Sequence, residues 1–140
     1  MQNPVEPARS PAIAICGSEV LVDGGDGVRF AVSTRDGPSN GFVVRYRSQA
    51  RAYLNRCAHV GLELDWDRGK FFDRSGLYLL CATHGAVYAP GSGRCAGGPC
   101  RGSGLRVIAV EECDGTVFWV PDSHVFAPVA IDPASKVLSS

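Results

Sequence analysis

The chain has 140 residues, and its 14 Lys and Arg balance its 14 Asp and Glu. That length suits one domain with a single modest core. The charge balance argues against a nucleic-acid partner, which favours a strongly basic surface, and no apolar run approaches the span of a bilayer.

Residues 1–11, "MQNPVEPARSP", read as a flexible arm and lack the basic and apolar regions of a signal peptide. A cytoplasmic location is the resulting expectation, and six cysteines there suit metal chemistry better than a disulfide framework. "AIAIC" (Ala12–Cys16) is a first candidate strand, followed by a short element around Glu19–Val22 and a Gly/Asp turn. "VRFAVS" (Val28–Ser33) alternates as a strand does, "TRDGPSNG" is a turn, and "FVVRYR" (Phe42–Arg47) and "ARAYLNRC" (Ala50–Cys57) are strands. "LYLLC" (Leu77–Cys81) reads as a buried strand, and "APGSGRCAGGPC" (Ala89–Cys100) as a Gly/Pro loop. "LRVIAVEE" (Leu105–Glu112) and "TVFWV" (Thr116–Val120) form a hairpin across an Asp-Gly turn. Residues 121–140 read as a tail that could lie along the sheet. No repeat and no second domain is visible. The 17 Gly and 9 Pro, spread among short apolar runs without helical periodicity, make the expected class all-β.

Two Cys/His pairs stand out in a chain with three histidines. "RCAHVG" holds Cys57-x-His59, and after twenty-one residues "CATHGAVY" holds Cys81-x-x-His84. Each pair follows a predicted strand and leads into a glycine, Gly61 or Gly85, which lets the backbone turn tightly beside a metal. Two thiolates and two imidazoles suit tetrahedral zinc or a [2Fe–2S] cluster with two Cys on one iron and two His on the other. Each loop supplies one ligand of each kind, whereas Cys2His2 fingers pair like with like. The spacing leaves both metals open.

Past the second pair come an aromatic, Tyr88, a Gly-rich turn, and "GGP" at Gly97–Pro99. In that order the motifs resemble the Rieske-type [2Fe–2S] ferredoxin family, and the resemblance covers roughly residues 41–120. It implies a sandwich of antiparallel sheets over residues 12–120, with a small cluster-binding subdomain at about 55–99. It implies one [2Fe–2S] cluster, with Cys57 and Cys81 on one iron, His59 and His84 on the other, and Pro99 on a loop closing over it. By the same resemblance Gly85 lets backbone N–H groups point at the sulfurs.

The departures from high-potential members matter. Those members join the two cluster loops by a disulfide whose cysteines would fall at Leu62 and Thr83 here, so it is absent. They also place a serine hydroxyl where this chain has Ala86, which cannot donate. Tyr88 cuts the other way, standing where those members have a tyrosine that donates to a ligand sulfur; its bland reading is a core aromatic. Two features of three predict the negative part of a range of roughly −150 to +300 mV.

Cys95 and Cys100 bracket the Pro loop. A disulfide would close it, but a cytoplasmic setting argues for thiols. Cys16 and Cys113 read as small core residues. Glu63, Asp65 and Asp67 after the first loop, and Arg45, Arg47, Arg51 and Arg56 before it, read as solvated strand faces or as docking patches for a redox partner. His124 reads as an exposed tail residue. Once His59 and His84 are used, too few ligands remain for the mononuclear iron of an oxygenase. The resemblance therefore implies an electron carrier between a flavoprotein reductase and a terminal oxygenase or other redox enzyme, with no catalytic site of its own. The alternatives are an accessory subunit, like the small subunit of nitrite reductases, and a zinc or metal-free binding module.

Overall fold

The structure, a computed structural model, describes residues 11–57, 63–65, 67–83, 85–100 and 102–128. Among the described residues ten strands form two antiparallel sheets. The larger contains β1 (Ile13–Gly17), β2 (Val28–Thr34), β3 (Gly37–Tyr46), β4 (Gln49–Leu54), β8 (Val107–Cys113), β9 (Thr116–Val120) and β10 (Val125–Phe126). Their order is β1-β9-β8-β4-β3-β2-β10. The smaller sheet is β5 (Leu79–Leu80), β6 (Val87–Tyr88) and β7 (Cys95–Gly97), in that order. The large sheet curls on itself, so that Phe30 of β2 meets Trp119 of β9 with ring centroids 5.3 Å apart. The all-β expectation holds.

Period-2 alternation on β3 and β4 feeds two cores. Val43, Ala52 and Leu54 face the inside of the curl with Val32, Ile108, Val117 and Trp119. Phe42, Val44 and Tyr53 face the opposite way, into a second core shared with the small sheet. There Phe42 stacks on Phe71 at 3.9 Å. A strand pair buried on both faces carries a continuous apolar run, which is why "FVV" does not alternate. The Tyr53 hydroxyl donates to the Pro90 carbonyl, pinning the β6–β7 loop to β4. Burial pushes its pKa up to about 12.

Several local expectations shift. Only the start of "TRDGPSNG" turns, since β3 already begins at Gly37. Pro38 is tolerated there because β4 pairs β3 only from Gly41 onward, so this end of β3 needs no second ladder. "LYLLC" contributes a two-residue strand, and Leu77 and Tyr78 are exposed, because β6 offers pairing only to Leu79 and Leu80. β4 stops at Leu54, where Arg56 N–H turns back onto the Leu54 carbonyl. The loop over 89–100 contains β7 and a turn of 3-10 helix, Gly98–Cys100. The tail begins by adding β10 to the edge of β2.

The structure joins Cys95 and Cys100 in a disulfide, against the compartment argument for thiols. Their Cα atoms are 5.5 Å apart, the separation that a disulfide needs. Cys113 is exposed at the end of β8, where the strand runs out into its turn, and is not a core residue. Cys16 packs partly buried against the curl's core.

Candidate metal centre

Two loops leave the second core side by side. The first departs from β4 and carries Cys57; the second joins β5 to β6 and carries Cys81. Both cysteines are thiols, 1% and 0% exposed, in the same core cluster. His59, Gly61 and His84 lie outside the described residues. Among the described residues no three His, Cys, Asp or Glu side chains gather into a metal site.

A buried polar clamp closes the base of the first loop. Asn55 sits at 2% exposure, one residue beyond β4. Its amide N–H donates to Asp65 Oδ1 at 3.0 Å, and its carbonyl Oδ1 accepts the Leu64 N–H at 2.9 Å. The other Asp65 oxygen accepts the Gly69 N–H at 2.9 Å. Outside this pair, Asn40 donates to Glu63 at 2.8 Å and the Arg29 guanidinium pairs with Glu63. The clamp is what the sequence did not disclose. Asp65 was expected on a solvated face, yet its side chain is fully buried. No pattern in the sequence links residues ten apart across a loop.

The second loop is a tight turn. Gly85 N–H bonds the Cys81 carbonyl, and Cys81 N–H bonds the Ala86 carbonyl, both at 2.8 Å. Ala82 N–H reaches the Leu64 carbonyl at 3.1 Å, tying this loop to the clamp. Gly85 has a φ of +76°. Gly98 is bound by close approach: a Cβ there would lie 2.7 Å from the Gly85 carbonyl oxygen. The third loop, closed by the Cys95–Cys100 disulfide, therefore packs its backbone on the second. Pro99 is exposed, and Ala86 is fully buried.

Tyr88 is buried completely on β6, and its hydroxyl lies 3.3 Å from Cys57 Sγ. It is a core aromatic and a sulfur partner at once. The donor set suits a soft metal. Two thiols in an apolar, water-excluded core fit zinc or iron–sulfur ligation and not an oxygen-seeking cation. A buried hydroxyl aimed at sulfur is well placed to support a thiolate there.

The arginines before the first loop do not form one patch. Arg45 makes a paired bond to Glu112, at 2.9 and 2.8 Å. That bond holds the Glu112 carboxyl at about 2, far below its usual range. Arg47 lies over the Tyr46 ring at the β3–β4 turn. Arg56 points elsewhere, 3.6 Å from Asp36.

Two buried thiols on adjacent loops of a small all-β domain form a donor set that suits a soft metal centre. Residues 13–123 match the Rieske [2Fe-2S] domain, and the chain belongs to that family. The family implies a [2Fe–2S] cluster. Among solved structures, the ferredoxin of carbazole 1,9a-dioxygenase from Nocardioides aromaticivorans IC177 is similar, with a TM-score of 0.63 at 20% identity, over 81% of this chain and 100% of that one. A chain from the complex of reduced oxygenase and oxidized ferredoxin in carbazole 1,9a-dioxygenase is 25% identical, with a TM-score of 0.62 over 78% of this chain and 92% of that one. A chain described as an NADH-dependent nitrite reductase small subunit from Mycobacterium tuberculosis is 18% identical, with a TM-score of 0.59 over 81% and 96%. No curated protein matches the chain by sequence.

Proposed function

We propose that this protein is a one-electron carrier whose [2Fe–2S] cluster is held by Cys57, Cys81, His59 and His84. When bound, such a cluster supplies a one-electron couple. Cys57 and Cys81 would hold one iron from inside the core, and the two imidazoles the other. The observation that carries this reading is the Tyr88 hydroxyl against Cys57 Sγ, with both residues and Cys81 buried. Such a bond favours negative charge on the sulfur and so bears on the redox couple. Ala86 offers no hydroxyl on the second loop, and Leu62 and Thr83 offer no disulfide. These two absences lower the potential, Tyr88 raises it, and the balance falls in the negative part of the Rieske range.

The ferredoxin solved with its oxygenase supports a terminal oxygenase as one partner; a flavoprotein reductase as the other is what the family resemblance implies. The nitrite reductase small subunit, 96% of which is covered, supports a second reading as an accessory subunit. Purification separates the two, since a carrier leaves its partner and a subunit stays with a large enzyme. A redox titration followed by low-temperature EPR tests the carrier reading. A Rieske-shaped signal appearing at negative potential is expected. Protein that holds metal and gives no paramagnetic signal at any potential would be a zinc protein.

A further inference from the structure

Three arginines and a histidine from four separate segments line one groove beside the first loop: Arg35, Arg56, Arg106 and His124, with Leu54 and Val125 between them. Tertiary pairing assembles it. The β2–β3 turn brings Arg35, and β10 lies against β2 through Val125 and Thr34, which sets His124 beside it. Leu54 N–H bonds the Arg106 carbonyl at 2.9 Å, which sets Arg106 beside the end of β4.

The groove's charge is left largely available. Elsewhere in the molecule three cations are paired with carboxylates: Arg45 with Glu112, Arg29 with Glu63, and Lys70 with Asp26. Here Arg56 has Asp36 at 3.6 Å, a carboxylate whose side chain is 80% exposed. Among the described residues, no carboxylate lies within ion-pair distance of Arg35 or Arg106, and both are exposed. Asp122, outside the lining, accepts the backbone N–H groups of His124 and Val125, and it lies close enough to Arg106 to feel that charge. Three arginines thus face one lining carboxylate on a chain with no net charge. Arg56 directly precedes Cys57, so anything seated here lies beside the first ligand loop.

We propose that this groove docks a carboxylate-rich face of the redox partner. The proposal rests on the electron-carrier reading and adds the chemistry of the partner. Guanidinium groups grip carboxylates through two parallel hydrogen bonds. A local excess of positive charge steers an acidic face toward the loop through which the electron would pass.

The test uses the cluster-loaded protein and a fluorescent oligoglutamate peptide. Binding should weaken as salt rises, and the double variant Arg35→Glu with Arg106→Glu should bind about tenfold or more weakly. Both residues are exposed, so circular dichroism should be unchanged. Arg47→Glu, about 30 Å away at the other end of β3, should bind as the parent does. A second readout is oxidation of the reduced protein by two inorganic oxidants of opposite charge. The double variant should react more slowly with ferricyanide and faster with hexaamminecobalt(III). Equal peptide binding by parent and double variant overturns the proposal, and so does an equal loss in Arg47→Glu. Protein that delivers no electron to either oxidant overturns the carrier reading itself, whatever the peptide does.

Discussion

Tyr88→Phe removes one oxygen atom from the centre and leaves the ring. The hydroxyl lies 3.3 Å from Cys57 Sγ, and both residues are at most 1% exposed, so water cannot replace it. A hydrogen bond to a charged group contributes about 1.5–3 kcal/mol. Both oxidation states accept that bond, so only the part that strengthens on reduction moves the potential. If that part is about 1 kcal/mol, the one-electron equivalence of about 59 mV per 1.4 kcal/mol turns it into a shift of about 40 mV. The sign is downward, because the reduced, more negative centre holds the bond more strongly. The assay is a redox titration of parent and variant, read by low-temperature EPR. An unchanged or higher midpoint in fully loaded, folded Tyr88→Phe would refute the argument that this bond tunes the couple.

Other outcomes follow from the surrounding structure. Asn55→Ala removes the partner of Asp65 Oδ1 and of the Leu64 N–H, while Asp65 Oδ2 keeps the Gly69 N–H, and should cost about 2–3 kcal/mol of stability in chemical denaturation. The same variant should lose its metal faster to a chelator, since the clamp closes the base of the first loop. Replacing Cys95 and Cys100 together by Ser opens a loop with a sequence separation of 5 and should cost about 2 kcal/mol by the loop-entropy relation. Glu112 titrates at about 2 when folded and at 4.5 when unfolded, so its contribution is complete above pH 4.5 and lost as pH falls toward 2. Glu112→Gln should flatten that part of the stability-against-pH curve, as measured by denaturation at several pH values.

Much of the architecture was legible locally. The Asp-Gly turn between β8 and β9 has positive φ at both Asp114 and Gly115, as the dipeptide suggested. The double-sided burial of Phe42–Val44 was foreshadowed by an apolar run without alternation. The turn read over "TRDGPSNG" ran too far, because Gly and Pro break a strand only where both neighbours need pairing, and strand length is not written in three or four residues. Cys113 misled because a cysteine's burial depends on where its strand ends.

The sequence by itself determined the all-β class and the spacing of the two Cys/His pairs. Both are carried by residues within one strand or one turn, where backbone geometry acts directly. Only the tertiary structure decided that Tyr88 reaches Cys57 across the core, that Asp65 is buried against Asn55, and that Cys95 meets Cys100. It alone drew Arg35, Arg56, Arg106 and His124 into one groove while tying Arg45 to Glu112. These are contacts between segments brought together by sheet pairing, and their burial and charge exist only once the chain has closed around them.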